Sequence, residues 1–158
     1  MKKTLVAGVG NVFFADDGFG CEVARRLSAR RVSTQPDDIS VTDFGIRGLH
    51  LAYELSSGSY DRAIVIDAVM RGGAPGTLYV IEPDTGEAGA HVAADGHGID
   101  LRAVFAMTRA LGTPPASIQI IGCEVAEVLE RVGLSDPVEQ AVDRAIALLE
   151  STLATDAE

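Results

Sequence analysis

Thr4-Leu5-Val6-Ala7-Gly8-Val9-Gly10-Asn11-Val12-Phe13-Phe14-Ala15-Asp16-Asp17-Gly18-Phe19-Gly20 is the stretch on which the reading of this chain turns. Its opening, Thr4 to Gly8, is a short apolar run that predicts a buried strand. Residues 18–31 then carry helical periodicity, with Phe19, Val23, Ala24 and Leu27 on one face and Glu22, Arg25 and Arg26 elsewhere. A strand, a glycine-bearing turn and a helix, in that order, predict an α/β unit.

The same alternation continues along the chain. Ile39 to Phe44 predicts a second strand, and Leu51, Ala52 and Leu55 mark a short helix ending near Ser57-Gly58. Arg62-Ala63-Ile64-Val65-Ile66-Asp67-Ala68-Val69 is the most β-like segment, and its near-continuous apolar character predicts a central strand covered on both faces. Gly72-Gly73 and Pro75-Gly76 predict a turn before a strand at Thr77 to Ile81; so short a link favours a hairpin, hence an antiparallel pair. Residues 82–98, with Pro83, Gly86, Gly89, Gly96 and Gly98, read as a loop. Ile99 to Leu111 predicts a helix that Gly112 caps and Pro114-Pro115 stops. Ser117 to Gly122 is the fifth strand, and residues 125–132 suggest a short helix. Asp136-Pro137 supplies a cap and a first helical position for a last helix running to about Leu153. Strands and helices interleaved in this way predict one three-layer α/β domain over residues 1–154, with 155–158 as a fraying tail.

Composition bounds the function. A chain of 158 residues can bury a core, and 47% hydrophobic against 23% charged residues excludes wholesale disorder. A net charge of -10 without a basic patch argues against nucleic acid and against anionic membranes. No apolar run approaches the roughly 20 residues a bilayer span needs. Gly8, Gly10 and the two aspartates interrupt the N-terminal apolar run, so no signal peptide is expected and the cytoplasm is the expected compartment. Cys21 and Cys123 form neither a C-x-x-C pair nor a zinc framework; both read as reduced thiols, and Cys21 as a packing residue.

Ligands of open α/β sheets bind beyond the carboxyl ends of the strands, so polar residues there carry the candidate chemistry. Gly8-x-Gly10, with Asp43 ending the second strand, suggests a dinucleotide loop. Position 13 is Phe, however, so the third glycine of that fingerprint is missing, and Asp16 and Asp17 would set like charge against a pyrophosphate. Carboxylates there suit a cation. Asp16 reads as a helix cap and Asp17 as a functional group. Asp67, near the end of a buried strand, reads equally as a cation ligand or as a turn cap. His97, in Asp95-Gly96-His97-Gly98 before a helix, is a candidate ligand; His91 in the same loop competes with it, and His50 reads as structural or solvated. Asp43-Phe44-Gly45-Ile46-Arg47-Gly48 reads either as a strand-to-helix turn or as a loop at the cleft rim. Two carboxylates and a histidine at one edge of the sheet make an O,O,N set without thiolate, which suits a borderline divalent metal with open positions. The metal's identity, and the choice between catalysis and recognition, stay open at this level.

These residues resemble the nickel–iron hydrogenase maturation endopeptidases over nearly the whole chain. Gly8-Val9-Gly10-Asn11 followed by Asp16-Asp17-Gly18-Phe19-Gly20 is similar to the opening motif of that family. Asp67-Ala68 matches its second acid, and His97 with Leu101 four residues on matches its histidine. Ile121-Gly122-Cys123-Glu124 and Gly133-Leu134-Ser135-Asp136-Pro137-Val138 are similar to its ending. Three positions depart from it: Asp43-Phe44-Gly45-Ile46 where the family often has Asp-Gly-Gly-Thr, Asp95 where a Ser commonly stands, and Glu124-Val125 in place of Glu-Pro.

The resemblance implies a phosphorylase/hydrolase-like three-layer α/β/α sandwich, its five-stranded sheet mostly parallel with one antiparallel strand. It implies an endopeptidase that removes the C-terminal extension of a hydrogenase large-subunit precursor after nickel insertion. Asp17, Asp67 and His97 would sense nickel that arrives with the substrate, so no permanent cofactor is expected. Asp43, Gly45 and Gly48 fall on the substrate loop, Asp43 is a candidate general base, and Gly8, Gly10 and Asn11 form the structural motif. Two alternatives stand beside this reading: a Rossmann-like nucleotide-binding enzyme, and a non-enzymatic nickel chaperone.

Overall fold

The computed structural model describes residues 2–31, 38–83 and 99–155. Five strands, β1 (Thr4–Val9), β2 (Ile39–Gly45), β3 (Arg62–Val69), β4 (Leu78–Ile81) and β5 (Ser117–Glu124), form one sheet in the order β2-β1-β3-β5-β4. The first four in that order run parallel, and β4 is antiparallel to β5. Among the described residues four α-helices cover the sheet: α1 (Phe19–Arg31), α2 (Gly48–Ser56), α3 (Leu101–Leu111) and α4 (Asp136–Thr155). Among the described residues no helix is long and apolar enough to cross a membrane.

The alternation of side chains along a strand explains the three layers. Val6, Ile64, Ile66, Ala68, Ile121 and Cys123 share a core with Phe19, Val23 and Leu27 of α1 and the apolar stripe of α4. Their neighbours Leu5, Ala7, Val9, Ala63 and Val65 face the other way, into a core with Leu51 and Leu55 of α2 and Leu101, Val104 and Phe105 of α3. β3 is apolar at nearly every position because both its faces are covered.

Three local expectations change. The strand at 78–81 is antiparallel, but it does not form a hairpin with β3, because β5 lies between them. The backbone of the linking turn is tied to the end of β5: the Gly76 N–H donates to the Glu124 carbonyl and the Glu124 N–H to the Thr77 carbonyl, both at 2.9 Å. The link steps over one strand, a displacement of roughly 10 Å that its length easily spans. Residues 125–132 form no helix. Their backbone is committed elsewhere: the Arg131 carbonyl accepts from the Ala15 N–H at 2.7 Å, and the Arg131 N–H donates to the Phe13 carbonyl at 2.9 Å. Finally, the Ser135 carbonyl accepts the Glu139 N–H at 2.8 Å, so Ser135 occupies the cap position of α4 and Asp136 stands in its first turn. At the end of α3, Gly112 is the cap, as expected: its backbone is extended (φ 178°) and its N–H donates to the Thr108 carbonyl.

Candidate functional site

The site lies at the carboxyl ends of β2, β1 and β3, where strand order reverses around β1. Close backbone packing creates it. A Cβ on Gly8 would fall 2.2 Å from the Gly20 carbonyl oxygen, and one on Gly20 2.1 Å from that of Ile66. Glycine at both places lets the first turn of α1 rest directly on the ends of β1 and β3. A 3-10 turn, Ala15–Gly18, precedes that helix and carries both members of the acidic pair.

Asp17 and Asp67 are 4% and 6% exposed. The Asn11 N–H donates to Asp17 Oδ2 at 2.9 Å, and the Ala68 N–H donates to Asp67 Oδ1 at 2.9 Å. Among the described residues, neither carboxylate has another hydrogen-bond donor. Burial raises the pKa of Asp17 from the ordinary carboxylate value, against the pull of the Asn11 N–H. Burial raises that of Asp67 well above it, and the charge of Asp17 adds to the effect. Two acidic groups near enough to repel, with one backbone donor each, are a site for a proton or a cation.

Asp16 is 0% exposed but differently supplied. Its Oδ2 accepts from the Ala126 N–H at 2.8 Å, the Glu127 N–H at 3.0 Å and the Ser135 hydroxyl at 2.8 Å, and its Oδ1 from the Ser135 N–H at 2.7 Å. Asp16 is structural, as its sequence context suggests, but it does not cap the helix at whose entrance it stands. It staples the loop between β5 and α4 to the turn that carries Asp17. Glu124 has a similar role that sequence reasoning missed. Its buried carboxylate accepts from the Arg71 and Gly73 N–H groups and from the Tyr79 hydroxyl, holding the turn after β3.

Asp43 reaches the same edge from β2, in register with Gly8, and is exposed. Its Oδ1 accepts the Gly45 N–H at 2.9 Å. The Arg47 guanidinium donates to the Asp43 carbonyl at 2.6 Å and to the Phe44 carbonyl at 3.0 Å, which fixes the loop. The Gly10 N–H donates to the Gly45 carbonyl at 3.0 Å and ties this loop to the end of β1. Gly48 opens α2 and packs beside Ile99 and Val104. Asn11 orders its own turn, its side-chain carbonyl accepting the Phe13 N–H at 2.9 Å.

The structure therefore brings Asp17, Asp67 and Asp43 to one edge of the sheet. His97, His91 and Asp95 lie outside the described residues, and His50 is exposed on α2. Among the described residues no group of three or more His, Cys, Asp or Glu side chains is placed to hold a metal ion. The turn that suggested a dinucleotide loop is packed against Asp17 instead. Gly10 adopts φ 138°, and a Cβ there would fall 2.0 Å from the Asp17 carbonyl oxygen. The Asn11 N–H, which a phosphate would need, is already bonded to a carboxylate.

Residues 21–152 match the family model HycI, hydrogenase maturation protease. A putative hydrogenase maturation protease of Methanocaldococcus jannaschii is 32% identical over 151 residues, 94% of each chain. The hydrogenase expression/formation protein HupD of Bradyrhizobium diazoefficiens is 30% identical, over 97% of this chain and 79% of its own. Among solved structures, the fold is similar to the hydrogenase maturating endopeptidase HybD of E. coli, with a TM-score of 0.82 at 23% identity, covering 98% of this chain and 93% of that one. It is also similar to a hydrogenase 2 maturation peptidase of a Thaumarchaeota archaeon, with a TM-score of 0.70 at 30% identity, covering 97% and 99%.

Proposed function

Because the chain belongs to the hydrogenase maturation protease family, we propose that it removes the C-terminal extension of a nickel–iron hydrogenase large-subunit precursor and recognises the inserted nickel through Asp17, Asp67 and His97. Membership makes the chain a hydrolase, a maturation endopeptidase rather than a non-enzymatic nickel chaperone. The observation that carries the finer reading is the pairing of Asp17 with Asp67, both buried and each with one backbone donor. Such a pair gains most from a cation presented by a partner. Nickel is then part of the substrate, and the enzyme needs no resident cofactor. His97 would add an imidazole nitrogen, a ligand type that suits nickel. It stands two positions before Ile99, which packs beside Gly48 at the start of α2. The expected setting is the cytoplasm, where the free thiols of Cys21 and Cys123 stay reduced.

In this reading Asp17 and Asp67 seat the precursor so that its scissile peptide lies along the rim of the cleft, and positioning of this kind removes much of a barrier. Asp43, exposed on that rim, takes a proton from the attacking water. The water oxygen bonds to the peptide carbonyl carbon, the C–N bond breaks, and the proton passes to the leaving amine.

The test is the mass of a co-expressed large subunit. With the wild-type enzyme the subunit loses its C-terminal segment. With Asp67→Ala or His97→Ala, each checked for a normal melting transition, it stays at full length. Normal processing by both variants overturns the three-ligand reading.

A further inference from the structure

We propose that Arg71 is a specificity residue of this enzyme: its guanidinium, stacked on the Tyr79 ring at the carboxyl edge of the sheet, binds a carboxylate of the precursor beside the peptide to be cut. The inference rests on the reading of Asp17 and Asp67 as the working site. Arg71 lies two positions beyond β3 and is exposed. Its guanidinium carbon is 4.9 Å from the centroid of the Tyr79 ring, a cation–π contact. Among the described residues the guanidinium has no carboxylate or carbonyl acceptor. Arginines elsewhere on this edge are occupied: Arg47 holds the carbonyls of Asp43 and Phe44, Arg131 the Glu127 carboxylate, and Arg144 the Gly76 carbonyl. In a chain with 13 Lys+Arg against 23 Asp+Glu, a guanidinium left without a carboxylate is available to one from outside.

The support under this guanidinium is fixed. The Glu124 carboxylate accepts the Arg71 N–H at 2.9 Å, the Gly73 N–H at 2.6 Å and the Tyr79 hydroxyl at 3.1 Å. One buried group thus holds both the turn that carries Arg71 and the ring on which it stacks. Glycine is required at 73, since a Cβ there would fall 2.1 Å from the Tyr79 hydroxyl oxygen. The support also faces the site. Gly122 pairs with Asp67 on one side and with Tyr79 on the other, so the three form one row across the sheet. Alternation puts the Asp67 and Tyr79 side chains on the face of Val65 and Ile81. Two strand spacings, about 10 Å, separate them, a distance that about three residues of extended chain span. A precursor seated at Asp67 therefore carries a neighbouring stretch of its chain past Tyr79. The planar fork of an arginine takes a carboxylate through two parallel hydrogen bonds. On a polypeptide that carboxylate is an Asp or Glu side chain or the chain terminus.

The test is steady-state cleavage of the nickel-loaded precursor by the wild-type enzyme, Arg71→Ala, Arg71→Lys and, as the control for the site, Asp67→Ala. Arg71→Ala keeps the backbone N–H that Glu124 binds, so the turn stays in place. It is expected to raise KM roughly 10-fold, the scale of one charge-assisted contact, with kcat within about twofold. Arg71→Lys keeps the charge but not the fork and should recover only part of the loss. Added NaCl should raise the wild-type KM more steeply than that of Arg71→Ala. Two precursor variants separate the sources of the carboxylate. In one, the Asp and Glu residues flanking the cut become Asn and Gln; in the other, a Gly-Ser tail moves the terminal carboxylate away. One of them should raise KM with the wild-type enzyme as Arg71→Ala does, and add nothing further when the two changes are combined. A wild-type KM for Arg71→Ala, or a rise in KM that neither precursor variant reproduces, overturns the proposal. Inactive Asp67→Ala beside Arg71→Ala with a wild-type KM rejects Arg71 alone, whereas active Asp67→Ala rejects the site reading itself.

Discussion

Asp16 and Asp17 are neighbours in sequence and almost equally buried, yet they do opposite things. Asp16 accepts four hydrogen bonds from the loop between β5 and α4. Asp17 accepts one, and faces a second underpaired carboxylate, Asp67. Glu124 sides with Asp16, with donors from the turn after β3 and from Tyr79. Burial by itself therefore does not mark a functional acid. The supply of donors does: a fully supplied carboxylate holds the fold together, and an undersupplied one stores a demand for positive charge.

The strongest way to break this contrast is to remove each member. Asp16→Ala should destabilise the protein by about 3–5 kcal/mol in urea unfolding, because it strands several buried donors at once. Asp17→Asn should leave stability within about 1 kcal/mol of wild type but lower precursor cleavage at least about 100-fold. If the two variants behave alike in both measurements, the distinction is wrong. Third, and smaller, is the pH dependence of stability. The raised pKa of Asp67 means that, between the ordinary carboxylate value and the raised one, the folded state holds a proton that the unfolded chain has released. Wild-type stability should therefore fall as pH rises through that window. Asp67→Asn cannot ionise, so it should flatten that slope and be about 1–3 kcal/mol more stable than wild type at neutral pH. A variant less stable than wild type at neutral pH would show that the pair is compensated after all. The smallest effect belongs to Arg47→Ala, which frees the loop carbonyls of Asp43 and Phe44 at the exposed rim. It should cost no more than about 1 kcal/mol in the same unfolding assay.

Much of this arrangement is legible in residue order. Periodicity separates strands from helices, and the near-continuous apolar run of Arg62–Val69 places β3 at the centre of the sheet. Asp17 and Asp67 stand out by residue type at strand and helix ends. Other features are not local. The partners of Asp16 lie 110 to 119 residues away. The insertion of β5 between β3 and β4 leaves no mark on the short turn that suggested a hairpin. The helix-like pattern at 125–132 is overridden because that segment's backbone groups bond to residues 13–16. Cys21 reads as packing because nothing in its neighbourhood along the chain reveals that its thiol donates to the Gly10 carbonyl at the end of β1.

The amino-acid order alone determined the layers, the open α/β class and the two acids worth watching, because side-chain periodicity and glycine placement act over a few residues. Tertiary structure alone decided which of the two adjacent aspartates is saturated with donors, Asp16, and which is left with one among the described residues, Asp17. That choice depends on hydrogen-bond donors delivered from the far end of the chain, and no local pattern carries that information.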